Sequence, residues 1–177
     1  MRSDLHIPFP SHRHVPVLPA SALLALLING ACSQPVSPTT TTPLSLTRFR
    51  AEDVAYLQYS GFDQPTTFVV RDSATWESTW NQIHRRLSSV PPLPAVNFSV
   101  EMIAVAGLGG QPTSGYDLVL SNASEGDGTV TVEAKTRSPA TRCAILPVVT
   151  SPIDLARLPR REGPVVFRLM PIATSCS

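Results

Sequence analysis

Gly107-Leu-Gly-Gly-Gln-Pro-Thr-Ser-Gly-Tyr-Asp-Leu-Val-Leu120 decides the fold. It follows the apolar run Met102-Ile-Ala-Val-Ala106 and leads into the alternating run Tyr116-Asp-Leu-Val-Leu120. Glycines at 107, 109, 110 and 115, with Pro112 among them, mark a chain that turns and takes conformations closed to residues with a Cβ. The stretch therefore reads as a rigid loop carried between two strands.

Further strands are expected on both sides of it. Val54–Tyr59 and Thr66–Val70, separated by Ser60-Gly61 and Gln64-Pro65, read as a hairpin. Downstream, Thr129–Ala134 alternates plainly, Cys143–Val149 and Val165–Met170 read as strands, and residues 152–159 suggest a short edge strand. Turn signals divide them at Gly126-Asp-Gly128, Ser138-Pro139, Ser151-Pro152 and Glu162-Gly-Pro164. One helix is expected, from Ala74 to about Leu87, capped by Asp72 or Ser73. Its apolar residues Trp76, Trp80, Ile83 and Leu87 share one face, and the two tryptophans read as anchors to a sheet. The expectation is an α+β, mainly β fold: an antiparallel sheet or open β-sandwich with one amphipathic helix packed on it.

The amino terminus reads as an address. Arg2, Arg13 and three histidines precede Val15–Ile28, an almost wholly apolar run too short for a bilayer core that takes about 20 residues to cross. It fits the hydrophobic region of a secretory signal. Asn29-Gly-Ala-Cys32 then resembles a bacterial lipobox, in which Cys32 becomes the lipidated first residue; plain cleavage after Ala31 is the competing reading. Residues 33–47 are rich in Pro, Ser and Thr and read as an extended tether. The expected organisation is thus signal peptide 1–31, tether 32–47 and one folded domain 48–177, in the cell envelope and held to the membrane by the lipid alone. In that oxidising setting Cys143 and Cys176 are expected to form a disulfide.

Composition narrows the function classes. The 177 residues include 18 prolines, which favour strands, turns and linkers over long helices. Setting aside Arg2, Arg13 and Asp4, the remaining chain is neutral, so there is no basic stripe for nucleic acid. His84 is the only histidine after residue 14 and reads as solvated helix surface rather than a metal ligand or catalytic base. Glu101 and Asp117 flank the glycine-rich loop, but their strand positions do not read as an acid/base pair. The loop has neither the lysine nor the following helix of a phosphate site. The expectation is a non-enzyme with no cofactor, no metal and no small-molecule substrate. Gln111, Pro112, Thr113, Ser114, Gly115 and Tyr116 form the candidate surface for a protein partner. The competing reading is a strand connection in which Tyr116 points inward.

Several of these residues resemble a family. Phe68-Val-Val-Arg-Asp-Ser-Ala-Thr-Trp76-Glu-Ser-Thr-Trp80, Pro94-Ala-Val-Asn-Phe98 and Gly110-Gln-Pro-Thr-Ser-Gly-Tyr116 look like the PrcB-like domain. This is the family of the accessory lipoprotein of a bacterial surface subtilisin-type protease complex. The resemblance covers roughly residues 66–170 and implies a non-catalytic lipoprotein that binds or stabilises a protein partner, a secreted subtilisin-type protease being one candidate. Two positions depart from the pattern: Asn97 where Asp is usual, and Ser114 where Gly is usual. A shorter likeness joins Gln111–Tyr116 to the Asn-Pro-Thr-Thr-Gly-Tyr loop of chagasin-type inhibitors, β-sandwich proteins that plug papain-like cysteine proteases; it implies an inhibitor instead.

Overall fold

The longest hairpin turns on two residues. Strands β5 (Asp117–Gly126) and β6 (Thr129–Arg137) are joined by Asp127-Gly128, with φ of 50° and 71°. Two successive left-handed residues make the type I′ turn whose twist suits a two-residue hairpin loop. The computed structural model describes residues 40–49 and 57–173. The remaining strands there are β1 (Thr42–Pro43), β2 (Thr47–Arg48), β3 (Thr66–Val70), β4 (Glu101–Gly107), β7 (Ile153–Pro159) and β8 (Val165–Pro171). They form two four-stranded sheets, ordered β1-β5-β6-β8 and β2-β7-β4-β3. Every pairing is antiparallel except β6 with β8, which is parallel.

Side-chain period places the two sheets and the helix in three layers. Met102, Ala104 and Ala106 of β4, with Ala156 and Leu158 of β7, pack on Leu118, Leu120, Val130, Val132 and Ala134 of the first sheet. The alternate residues Ile103, Val105, Ile153 and Leu155 pack on the other side, against Trp76, Trp80 and Ile83 of helix α1 (Ser73–Ile83). A strand covered on both faces reads as a continuous apolar run, which is why Met102–Ala106 does not alternate. Thr129–Ala134 alternates because one face meets this core while Thr131 and Glu133 are half exposed.

Asp72 caps the helix, its carboxylate accepting from the Thr75 amide at 2.8 Å and the Thr75 hydroxyl at 2.8 Å. Both indoles are buried with their polar atoms satisfied: Trp76 Nε1–H donates to Pro94 O and Trp80 Nε1–H to Pro91 O, each at 2.9 Å. The proline-rich stretch beyond the helix thus returns as the acceptor for its tryptophans.

Five expectations about the fold need correction. Thr66–Val70 pairs with β4 rather than in a hairpin with the preceding segment, of which the described part carries only a Tyr59–Ser151 bridge; Val54–Tyr56 lie outside the described residues. Residues 153–159 form an interior strand between β2 and β4, not an edge. Cys143–Val149 is not a strand: Pro147 interrupts it, Val148 N–H bonds back to Leu146 O, and Leu146 is 68% exposed. The helix stops at Ile83, where Gly61 N–H takes the Ile83 carbonyl at 2.9 Å. A Cβ on Gly61 would lie 2.1 Å from Gln82 O, so only glycine permits that approach.

The fifth correction concerns the expected boundary at Arg48. Thr42 and Pro43 pair with Glu125 and Ser124, Thr47 and Arg48 pair with Arg157 and Ala156, and Leu44 is buried in the inter-sheet core. Composition alone shows no core in this stretch; β5 and β7 supply the backbone partners and Leu44 the apolar anchor. The apolar run Val15–Ile28, Cys32 and residues 33–39 of the expected tether lie outside the described residues.

Candidate functional site

The loop from Gly107 to Tyr116 is strapped down on both sides. Leu108 N–H bonds Pro152 O at 2.9 Å and Gly110 N–H bonds Asp63 O at 3.0 Å. Gln111 exchanges both backbone bonds with Thr150, at 2.7 and 3.0 Å, while its side chain donates to Leu108 O at 2.9 Å. Thr113 O accepts the Thr150 hydroxyl at 3.1 Å. Ser114 N–H donates to Leu146 O at 3.0 Å, and Ser114 Oγ accepts the Leu146 amide at 2.9 Å. Of the six candidate residues, Pro112 and Gly115 are exposed, and Gln111, Thr113, Ser114 and Tyr116 are half-buried. The loop is a braced ridge rather than a free finger.

Two glycines explain why the chain folds this way. Gly109 has φ +71°, and a Cβ there would stand 2.7 Å from backbone atoms of Gln64 and Pro65. Gly115 has φ +91° and faces Pro139, 3.0 Å from where its Cβ would be. Ser114 is not left-handed, so of the Ser114-Gly115 pair only the second requires glycine's freedom.

Beside the ridge lies a cleft of about 330 Å³, lined among others by Gln58, Tyr59, Tyr116, Asp117 and Arg137. Gln58 Nε2 donates to Asp117 Oδ1 at 3.2 Å across it. Its margin is apolar: Tyr59 and Ile145 are each 44% exposed, Val149 60% and Leu146 68%. Exposed apolar side chains gathered beside a braced backbone are a surface suited to a partner. Sequence reading missed residues 144–149 as part of this face, because an apolar run without charge looks like a buried strand; Pro147 was the available signal.

The other residues singled out in the sequence lie elsewhere. Glu101 starts β4, at the opposite end of that strand from the loop, so it does not meet Asp117. Its carboxylate accepts the Asn97 amide at 3.3 Å. Asn97 Oδ1 accepts from the Ser99 amide at 3.2 Å and from its hydroxyl, so a neutral side-chain oxygen closes this turn without a carboxylate. His84 is buried, not solvated. Its ring lies 4.2 Å from that of Trp80 and its Nδ1–H donates to Trp80 O at 2.9 Å, capping the helix from inside, while Nε2 has no hydrogen-bond partner among the described residues. Cys143 sits in the turn closed by its amide on Ala140 O; Cys32 and Cys176 lie outside the described residues.

The braced loop, its hairpin and β7 fall within one recognisable segment. Residues 102–159 match the family model described as PrcB C-terminal. Over this segment the chain is similar to the PrcB C-terminal family. The matched segment runs from β4 to β7 and contains the whole ridge, its Thr150 strap and residues 144–149. The tryptophan helix, β3 and β8 lie outside the match. No curated protein and no solved structure matches the chain.

Proposed function

We propose that this is a non-catalytic, lipid-anchored protein of the bacterial cell envelope that binds or stabilises a protein partner, a component of a secreted protease complex, through the face made by residues 111–116 and 144–149. One observation carries the reading: four exposed apolar side chains, Tyr59, Ile145, Leu146 and Val149, surround a backbone already fixed by hydrogen bonds. A prearranged face loses little conformational freedom on binding. The match of residues 102–159 to the PrcB C-terminal family supports a protease-complex association. The amino-terminal pattern ending in Cys32 supports export and a lipid anchor.

The experiment compares the native protein with Leu146→Asp and Tyr116→Ala in cross-linking on intact cells, with mass-spectrometric identification of what is captured. A protease or its accessory chain captured by the native protein, and at least tenfold less by Leu146→Asp, is the expected result. Equal capture by native and variant protein sinks the face, and capture of no protein sinks the function. Tight inhibition of a papain-like enzyme that Tyr116→Ala abolishes would favour the inhibitor reading instead. For the anchor, Cys32→Ser is expected to release the protein from membranes; unchanged retention refutes lipidation.

A further inference from the structure

The two lateral sides of the sandwich differ. On one side the chain itself crosses from β1 in the first sheet to β2 in the second, and the Arg48–Asp154 ion pair at 2.5 Å closes the gap. On the other side β3 and β8 are the edge strands of their sheets, and between them runs a groove of about 410 Å³ lined by Thr67, Val69, Val165 and Phe167 among others.

The groove lies along a free hydrogen-bonding edge. The end bonds of the parallel ladder, Val130 N–H to Pro164 O and Ile172 N–H to Thr136 O, each 2.9 Å, fix its phase. Even-numbered residues of β8 therefore bond β6, and the amide and carbonyl groups of Val165, Phe167 and Leu169 point away from it. None of those groups has a backbone partner among the described residues. The side chains of the same three residues face inward, in register with the fully buried Val130, Val132 and Ala134. Leu169 is nevertheless 46% exposed, although Ala134 beside it is wholly covered. Val165-Val-Phe-Arg-Leu-Met170 contains a single charge, so the edge lacks the usual protection until Pro171.

We infer that this open side is a strand-addition site: an extended, uncharged segment of a partner protein, alternating small apolar and polar residues, pairs with β8 and lays its apolar side chains into the groove. Charge selects this occupant. The two charged residues lining the groove, Arg71 and Glu162, are opposite in sign, and each is already engaged. Arg71 donates to the Arg161 and Gly163 carbonyls at 3.0 and 2.9 Å and Glu162 accepts from Arg160 at 2.6 Å, so the lining offers no net charge to an occupant. A second copy fits less well, since self-pairing of β8 about its midpoint sets Arg168 against its own counterpart. The site shares no residue with the 111–116 face and stands independently of it.

Hydrogen exchange on the full-length protein tests this with a synthetic peptide of alternating Val and Thr, with lysine at each end for solubility. The expected result is about tenfold slower exchange at the Phe167 and Leu169 amides, with Val166 and Arg168 unchanged because β6 already protects them. The same peptide N-methylated at alternate residues should have no effect. Leu169→Pro, which removes an outward N–H and the leucine side chain without touching the bonds to β6, should abolish the slowing at Phe167. No slowing with peptide at millimolar concentration, equal slowing by the N-methylated peptide, or slowing that follows protein concentration without peptide each overturns the proposal, the last by making a second copy the occupant.

Discussion

Asp154 is a carboxylate buried where β7 faces the first sheet, and each of its oxygens has a partner. It accepts the Leu120 amide at 2.7 Å, the Leu155 amide at 3.0 Å and the Arg48 guanidinium, which also donates to Leu120 O. Leu120 borders the bulge in the β5–β6 ladder, and β1 reaches only as far as Ala123 along β5, so Asp154 and Arg48 satisfy the next outward backbone groups. Removing the carboxylate leaves a buried amide unpaired. Asp154→Ala is therefore expected to cost about 2–4 kcal/mol, and Asp154→Asn, which keeps one acceptor, less; urea unfolding with an unchanged m-value checks both. Glycines give a second residue-scale contrast. Gly109 and Gly128 share a φ of +71°, but only Gly109 also has backbone atoms within 3 Å of a would-be Cβ. Gly128→Ala should cost about 1 kcal/mol from conformation alone, and Gly109→Ala clearly more. Equal losses in the two variants would show that the close approach to Pro65 contributes nothing.

At the scale of elements, the helix shows how an end and a face divide the work. The Thr75 amide, and then the Thr75 hydroxyl, hold the Asp72 carboxyl below its ordinary value of 3.8. A carboxyl depressed in the folded state adds stability in full above the unfolded value and loses it as pH falls through the lower folded one. The Tm advantage of native protein over Asp72→Ala should thus be constant above pH 3.8 and shrink below it. The face matters more. Trp76 stacks with Phe49 at 5.6 Å and meets Trp80 at 5.2 Å, so Trp76→Ala should cost about 3–5 kcal/mol; a loss below about 1 kcal/mol in the same unfolding assay would remove the helix as an anchor of the second sheet. Cap, tryptophan spacing and the Asp-Gly turn are all readable locally, because a few adjacent residues determine each. The strand status of 143–149 was not. Its apolar composition matches a strand, Pro147 is the single local sign against one, and the absence of a ladder partner before Thr150 among the described residues makes it an exposed connection.

For the whole molecule, what escaped sequence reading is what depends on distant partners. Nothing local in Val165–Met170 says that it lies parallel to β6, and nothing in Thr42–Arg48 says that two short strands and Leu44 close one side of a sandwich. The candidate site divides in the same way: Gly109 and Gly115 announce the ridge, whereas Thr150, Leu146 and Tyr59 join it only through the fold. That geometry bears on the expected Cys143–Cys176 disulfide. Residues 141–147 are mostly exposed and are held chiefly by the Cys143 turn and the paired Ser114–Leu146 bonds, yet they carry part of the proposed partner face. A cross-link from Cys143 to Cys176 would tie this segment to the chain beyond β8 and limit its opening. In the exported protein, unfolded without reductant, we therefore predict that neither cysteine reacts with a thiol reagent and that reduction exposes both. Replacing the pair by serine should cost about 3–4 kcal/mol, less any strain in the native bond, and should speed hydrogen exchange at Leu146 before it affects β4. Two thiols titrating without reductant would refute the bond. An intact bond whose removal leaves Leu146 exchange unchanged would leave the brace of the ridge to Ser114 and Thr150 alone.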